Sequence, residues 1–110
     1  MAKNFPSRGE IWWVEVPAGK NRPCVIVSPD ERNREEQNYI VAACTSRRLD
    51  KIYPDEVDIS ELNMPKQSKV QADYLMTVRR DRLQEKITEL CPDKHLPEIR
   101  EALKTALDLH

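Results

Sequence analysis

The chain has 110 residues, with 18 Lys and Arg against 19 Asp and Glu, two histidines, three cysteines and only two glycines. A chain of this length forms a single domain, 1–110, with no room for a separate cofactor module. Gly9 and Gly19 alone cannot form a glycine-rich nucleotide loop, and His95 and His110 cannot form a His-Glu-x-x-His zinc site. We therefore expect no metal and no cofactor.

The formal net charge of −1 argues against a protein that coats nucleic acid, because such binding needs concentrated positive charge. A small basic stretch is nevertheless present at 45–53, which holds three cations and one acidic residue. The longest apolar run, 40–44, is far shorter than the roughly 18 residues of a membrane span, and the first residues have no apolar signal core. Three cysteines without a Cys-x-x-Cys pair are typical of reduced thiols, so we expect a cytoplasmic protein.

Apolar alternation and turn residues predict short strands through most of the chain. Pro17 and Gly19 end the first strand, and Pro23 must lie at the start of the second, where a missing N–H is tolerated. The polar stretch 31–37 is predicted to be a linker. The predicted strands are Gly9–Val16, Arg22–Ser28, Tyr39–Ser46, Glu56–Ile59 and Ser68–Asp73, the last leading into Leu75–Val78.

The last quarter of the chain is ambiguous at first and then clearly helical. In Arg82–Leu90 the apolar residues Leu83, Ile87 and Leu90 have helical spacing, yet the second half of the segment would also form a strand. After Asp93, a plausible N-cap, an apolar stripe from Leu96 to Leu107 predicts an amphipathic helix with Pro97 in its first turn. Short strands followed by one helix predict a mainly β fold, a small, partly closed β-barrel or curled sheet with the helix packed against it.

An antiparallel pairing of the second and third strands would bring Arg22 beside Thr45 and Ser46. A guanidinium next to a hydroxyl suits a phosphate, because the planar fork makes paired hydrogen bonds to phosphate oxygens. The alternative is that Arg22 is an ordinary strand-end cation and Thr45 a β-branched strand residue. The same register pairs Cys24 with Ala43, Ile26 with Val41 and Ser28 with Tyr39 on one face.

The order of the sequence motifs is similar to that of one known family. The motifs are Arg8–Val14, Arg22–Asp30 with Asn33, Ile40–Ser46, Pro54–Val57, Asp73–Val78, Arg82–Leu83 and Lys86–Leu90. This ordered set, which covers nearly the whole chain, resembles the MazF/PemK family of toxin endoribonucleases. Its most specific part is the Arg22-Pro23 strand followed by a strand that ends in Thr45-Ser46. The resemblance implies a MazF/CcdB-like toxin fold, a small SH3-like β-barrel with a C-terminal helix, in which 86–90 is a strand.

The resemblance further implies the toxin of a type II toxin–antitoxin system. Such a toxin is a homodimer that cleaves single-stranded RNA at selected sequences without a metal. Its antitoxin covers the RNA site with a flexible acidic segment. Attack by the RNA's own 2′-hydroxyl needs a base, a stabiliser for the charge on the phosphorane and an acid for the leaving oxygen.

By this resemblance the catalytic pair is Arg22 and Thr45, with Arg22 as the phosphate and transition-state clamp and Thr45 as its hydroxyl partner. Asp73 matches an acidic position of the family and is the further catalytic candidate, although a strand-end carboxylate commonly caps or faces water. An ordinary solvated loop is the alternative for the basic stretch. The residues expected to contact RNA are Lys20, Ser46, Arg47, Arg48, Gln71 and Tyr74.

The chain departs from the family pattern at the loop 17–21, which is short, and at three positions before the Thr77-Val78 strand. Gln71 stands where some relatives have arginine, and Tyr74 and Met76 replace a glutamine and an arginine. Tyr74 would either stack on a base or pack in the core or a dimer interface. Two alternatives therefore stay open: a non-catalytic, CcdB-like toxin that binds DNA gyrase, and an inert dimeric barrel that serves as an interaction module.

Overall fold

A computed structural model describes residues 4–17 and 19–109, which form six strands, two α-helices and a 3-10 turn. The strands make one antiparallel sheet in the order β4-β5-β3-β2-β1-β6. The elements are β1 (Glu10–Glu15), β2 (Asn21–Ile26), α1 (Asp30–Glu35), β3 (Asn38–Thr45), β4 (Glu56–Asp58), β5 (Lys69–Arg79), the 3-10 turn (Arg80–Arg82), β6 (Leu83–Glu89) and α2 (Pro92–Leu107). The mainly β fold with a C-terminal helix is thus confirmed, and over the described residues the sheet stays open, with β4 and β6 at its edges.

The predicted strands are all present, and the two segments 68–73 and 75–78 form one long strand, β5. The ambiguous segment is strand β6, in agreement with the family resemblance. No helix of the described residues is long and apolar enough to cross a membrane.

Two local predictions are wrong. The polar linker at 31–37 contains the helix α1, which follows Pro29 and buries Asn33. Helix α2 begins at Pro92 with Cys91 at the N-cap, because the fixed φ of proline suits the first helical position and the Cys91 N–H donates to His95 Nδ1 at 2.9 Å. Asp93 therefore lies in the first turn, and Pro97 lies inside the helix.

The sheet separates two clusters of buried apolar side chains. One cluster joins the sheet to α2 and includes Ile11, Val25, Ala42, Val70, Ile99 and Ala102. The other lies on the opposite face and includes Val14, Cys24, Ile26, Tyr39, Val41 and Ala43. The predicted register is confirmed where β2 and β3 pair, since Cys24 faces Ala43 and Ile26 faces Val41.

Strand β5 carries a bulge of four residues opposite β3. Val70 pairs with Cys44 and Leu75 pairs with Ala42, so the four residues 71–74 of β5 face Ala43 alone. Bulges of this kind redirect side chains and are common beside functional sites. The bulge lies next to the beginning of β2, where Arg22 is found.

A buried polar network joins α1 to the sheet. Asn33 is fully buried, and its Nδ2 donates to the Ser28 carbonyl at 2.9 Å. Ser28 Oγ donates to Asn33 Oδ1 at 2.6 Å, and the Tyr39 hydroxyl donates to the Asn33 carbonyl at 3.1 Å. These bonds satisfy groups that would otherwise be buried without partners.

We expect Asn33→Ala to lower the free energy of unfolding by roughly 2–4 kcal/mol, because it leaves the Ser28 carbonyl buried without its donor. Urea denaturation followed by circular dichroism measures this change. Asn38→Ala, at an exposed position of β3, is the matched control and should cost less than about 0.5 kcal/mol. Equal stability of the two variants would contradict the role assigned to the network.

The three cysteines are free, and only Cys91 is exposed. Burial raises the pKa of the Cys24 thiol to about 12, against a smaller opposing effect of the Arg22 charge, and burial also raises the pKa of Cys44. At pH 8 we therefore expect iodoacetamide to modify Cys91 alone in the folded protein, because the thiolate is the reactive form. Mass spectrometry counts the adducts, with all three sites modified in urea as the control. Rapid modification of a second thiol without urea would contradict this expectation.

Candidate active site

A cavity of about 700 Å³ lies at the end of the sheet where β2 begins and β3 ends. Strands β1 to β5 and the segments 46–55 and 64–68 supply its lining. Residues from distant parts of the sequence therefore converge here. The predicted site residues that line it are Arg22, Thr45, Ser46, Arg47, Arg48, Gln71 and Tyr74.

Arg22 is held by contacts on three sides. Its Nε donates to the Cys44 carbonyl at 3.1 Å, and Nη2 donates to Gln71 Oε1 at 2.9 Å. The guanidinium carbon lies 4.7 Å from the centre of the Tyr74 ring, which is a cation–π distance. The contacts described here use two of the five guanidinium N–H groups, and the remaining donors suit the oxygens of a phosphate.

Thr45 is the last residue of β3 and lies immediately after the Cys44 carbonyl that Arg22 contacts. Its Oγ1 accepts the Arg47 N–H at 3.1 Å, which turns the chain into the basic segment. Because this hydroxyl accepts from the backbone, its own proton can be donated to a ligand. The paired register ends at Cys24 and Ala43, and beyond it the side chain of Arg22 reaches the Cys44 carbonyl next to Thr45.

The bulge of β5 brings Gln71 and Tyr74 to Arg22. Both line the cavity although they are three residues apart, a spacing that a regular strand would place on opposite faces. Tyr74 is 48% exposed, so part of its surface is open to a ligand and it is not part of the core. The two residues that depart from the family pattern thus hold the arginine that matches it.

Two predicted site residues lie outside the lining. Asp73 is exposed and lies in the bulge, between the buried Ala72 and the exposed Tyr74. Lys20 is exposed in the short loop between β1 and β2. Both residues are close in sequence to lining residues, but neither belongs to the lining of the cavity.

The sequence reasoning missed several residues of the site. Tyr53 and Trp13 add aromatic rings to the lining, and Lys66 and Lys69 add cations. Lys69 is buried and forms an ion pair with Glu56 at 2.7 Å. In the sequence, Lys69 is indicated only by its place inside a predicted strand next to apolar Val70. A charged residue at such a place is typical of a paired, inward-facing lysine.

The cavity is electropositive. Its lining has five cationic side chains, from Arg22, Arg47, Arg48, Lys66 and Lys69, and one carboxylate, from Glu56. Among the described residues there is no group of three or more His, Cys, Asp or Glu side chains that could hold a metal ion. Fixed positive charge, a hydroxyl and exposed aromatic rings are the groups that bind a phosphodiester together with its bases.

Comparison with known proteins agrees with this arrangement. A curated endoribonuclease MazF from Staphylococcus saprophyticus subsp. saprophyticus is 35% identical over 111 aligned residues, which cover 94% of this chain and 92% of that protein. A mycobacterial endoribonuclease solved in complex with its cognate antitoxin superposes with a TM-score of 0.82 at 30% identity, covering 96% of this chain and 97% of that one.

A MazE-MazF structure from Deinococcus radiodurans superposes with a TM-score of 0.77 at 26% identity, covering 98% of this chain and 100% of that one. The family described as PemK-like, MazF-like toxin of type II toxin–antitoxin system matches residues 7–107. The chain therefore belongs to the PemK-like, MazF-like toxin family.

Proposed function

We propose that this protein is the toxin of a type II toxin–antitoxin pair and that it cleaves single-stranded RNA as an endoribonuclease. The observation that carries the proposal is that Arg22 and Thr45 line the same electropositive cavity, with Arg22 bonded to the carbonyl that precedes Thr45. The name of the staphylococcal relative, an endoribonuclease, supports the same activity. The match to relatives supports neither the gyrase-binding nor the inert alternative.

Single-stranded RNA is the substrate class that fits the cavity. Cationic side chains follow a phosphate backbone, and exposed rings stack on unpaired bases, each stack contributing about 1–3 kcal/mol. Tyr74 and Tyr53 are 48% and 40% exposed and line the cavity together with the cations. A duplex would not offer its bases to these rings, since they are already stacked.

The proposed reaction needs no group beyond the chain and the RNA. The 2′-oxygen attacks the adjacent phosphorus and loses its proton to a base, and the bond from phosphorus to the 5′-oxygen breaks as that oxygen gains a proton. The products are a 2′,3′-cyclic phosphate and a 5′-hydroxyl. Arg22 stabilises the charge on the phosphorane, because its donors are already oriented before the charge develops.

Thr45 donates its hydroxyl hydrogen bond to the same phosphate group, in support of Arg22. Asp73 is proposed as a further contributor to proton transfer. Its exposed position outside the cavity wall supports a smaller contribution than that of Arg22. An arginine keeps its charge at any working pH, which suits a clamp on a phosphate and makes it a poor base.

We also propose that the protein is a homodimer and that it binds the acidic, flexible segment of an antitoxin. The cavity cations Arg22, Arg47, Arg48 and Lys66 attract such a segment as they attract RNA, so antitoxin and substrate compete. The mycobacterial relative solved with its cognate antitoxin supports a partner of this kind. The expected place of action is the cytoplasm, where its RNA substrate is found.

Arg22→Ala should lower kcat for a single-stranded RNA by about 10²–10³ or more, because it removes the donors aimed at the developing phosphorane charge. Quantitative gel assays of a labelled oligonucleotide measure this. Asp73→Asn is expected to lower kcat by less than about tenfold. Arg100→Ala, at an exposed position of α2, is the matched control with unchanged rate. Undiminished cleavage by Arg22→Ala would refute the assigned role.

An RNA that carries 2′-deoxyribose at the scissile position should resist cleavage, because it lacks the proposed nucleophile. The unmodified RNA should be cleaved at the same rate with excess chelator present, since no step uses a metal. Mass spectrometry of the fragments should show cyclic phosphate and 5′-hydroxyl ends. Cleavage of the deoxy substrate, or complete loss of activity in chelator, would overturn the proposed chemistry.

A further inference from the structure

A buried ammonium group lies beneath the segment that forms one wall of the cavity. This segment, the β3–β4 loop, spans 46–55 and has no helix or strand of its own. Its ends lie on either side of β5, since Thr45 pairs with Lys69 and Glu56 pairs with Gln71. The loop therefore crosses the beginning of β5, where Lys69 is the first residue.

Lys69 uses all three of its ammonium protons inside the protein. Its Nζ donates to the Arg48 carbonyl at 2.9 Å, to the Lys51 carbonyl at 2.9 Å and to Glu56 Oε1 at 2.7 Å. The side chain is 2% exposed, and lysine is almost never buried to this degree unless its charge is paired. With no proton left for a ligand, Lys69 acts on the loop and not on a bound molecule.

The same cluster holds the loop at one further point. Glu56 Oε1 also accepts the Tyr53 N–H at 3.0 Å, so one carboxylate oxygen joins Lys69 to the far end of the loop. Arg48 has a φ of 53°, in the left-handed region that residues with a Cβ rarely adopt. The hydrogen bond from Lys69 to the Arg48 carbonyl stabilises the backbone in this unfavourable conformation.

We infer that Lys69 is a positioning residue that fixes the β3–β4 loop, so that Arg47 and Arg48 form a basic wall of the cavity to which RNA binds. Both arginines are exposed and line the cavity immediately after Thr45. An unanchored loop of ten residues would spread these charges over many positions and would lose entropy when RNA binds. The role toward RNA rests on the function proposed above, whereas the role toward the loop does not.

Trypsin measures the anchoring of the loop directly, since it cleaves after Arg47, Arg48 and Lys51. We expect Lys69→Met, which keeps the length of the side chain and removes its charge, to speed cleavage within 46–55 by about tenfold or more, because proteolysis follows the open population. Lys104→Met, at an exposed position near the end of α2, is the control and should digest like the unmodified protein.

The single substitution leaves Glu56 as a buried carboxylate without its partner, which can prevent folding. The double variant Lys69→Met/Glu56→Gln removes both charges, and the same rise in loop cleavage is expected with an unchanged circular dichroism spectrum. In the unmodified protein, hydrogen exchange of the Tyr53 amide should be as slow as that of sheet amides. Exchange at the rate of an open loop would overturn the inference even if neither variant folds.

With RNA, the loosened loop should raise KM about fivefold or more and change kcat less than twofold, because Arg22 and Thr45 remain in place. The salt dependence of KM should weaken to that of the Arg47→Ala/Arg48→Ala variant, since each lost phosphate contact removes about 0.7 from the slope. A general loss of folded protein would instead lower kcat in proportion and leave KM and the salt slope unchanged.

The two proposals fail in different ways. If the unmodified protein cleaves no RNA, the proposed function is wrong, while trypsin digestion and hydrogen exchange still decide the role of Lys69. If it cleaves RNA and the folded Lys69 variants resist trypsin like the unmodified protein, only the inference about Lys69 is overturned.

Discussion

The antiparallel pairing of β2 with β3 is the constraint on which the candidate site depends. Cys24 and Ile26 are buried on one face of the sheet and Val25 on the other, so a slip of one residue would exchange two buried faces. Each cluster is packed around its own side chains, so such a slip would leave cavities and clashes on both faces. The same register carries Arg22 and Thr45 to one end of the sheet, where the arginine bonds to the Cys44 carbonyl.

Most of the fold could be predicted because strands and α2 are encoded in local apolar patterns. The short helix α1 could not, since its residues are polar and it is anchored by buried Asn33 through contacts with Ser28 and Tyr39. The start of α2 was missed for a similar reason. Capping preference favours Asp93, whereas a contact between the Cys91 N–H and His95 stabilises the actual first turn.

The site was predictable where its residues lie at strand ends, and less so where they come from loops and the bulge. Arg22 and Thr45 both line the cavity, as the pairing and the family resemblance indicate. Glu56 and Lys69, on neighbouring strands, form an ion pair that holds the β3–β4 loop, and no local pattern specifies the path of this loop. A net charge of −1 likewise conceals five cations on one cavity, because a total reports nothing about where charges meet in space.

The bulge of β5 affects which residues around Arg22 can be substituted. Residues 71–74 face a single residue of β3, so the pairing on both sides of them does not depend on their side chains. Substitutions of Gln71 and Tyr74, which contact Arg22, can change its surroundings, whereas Ala72 between them is buried in the cluster that joins the sheet to α2. Gln71 and Tyr74, which differ from the family pattern, occupy this segment. The positions that contact Arg22 can therefore vary without a change in either buried cluster.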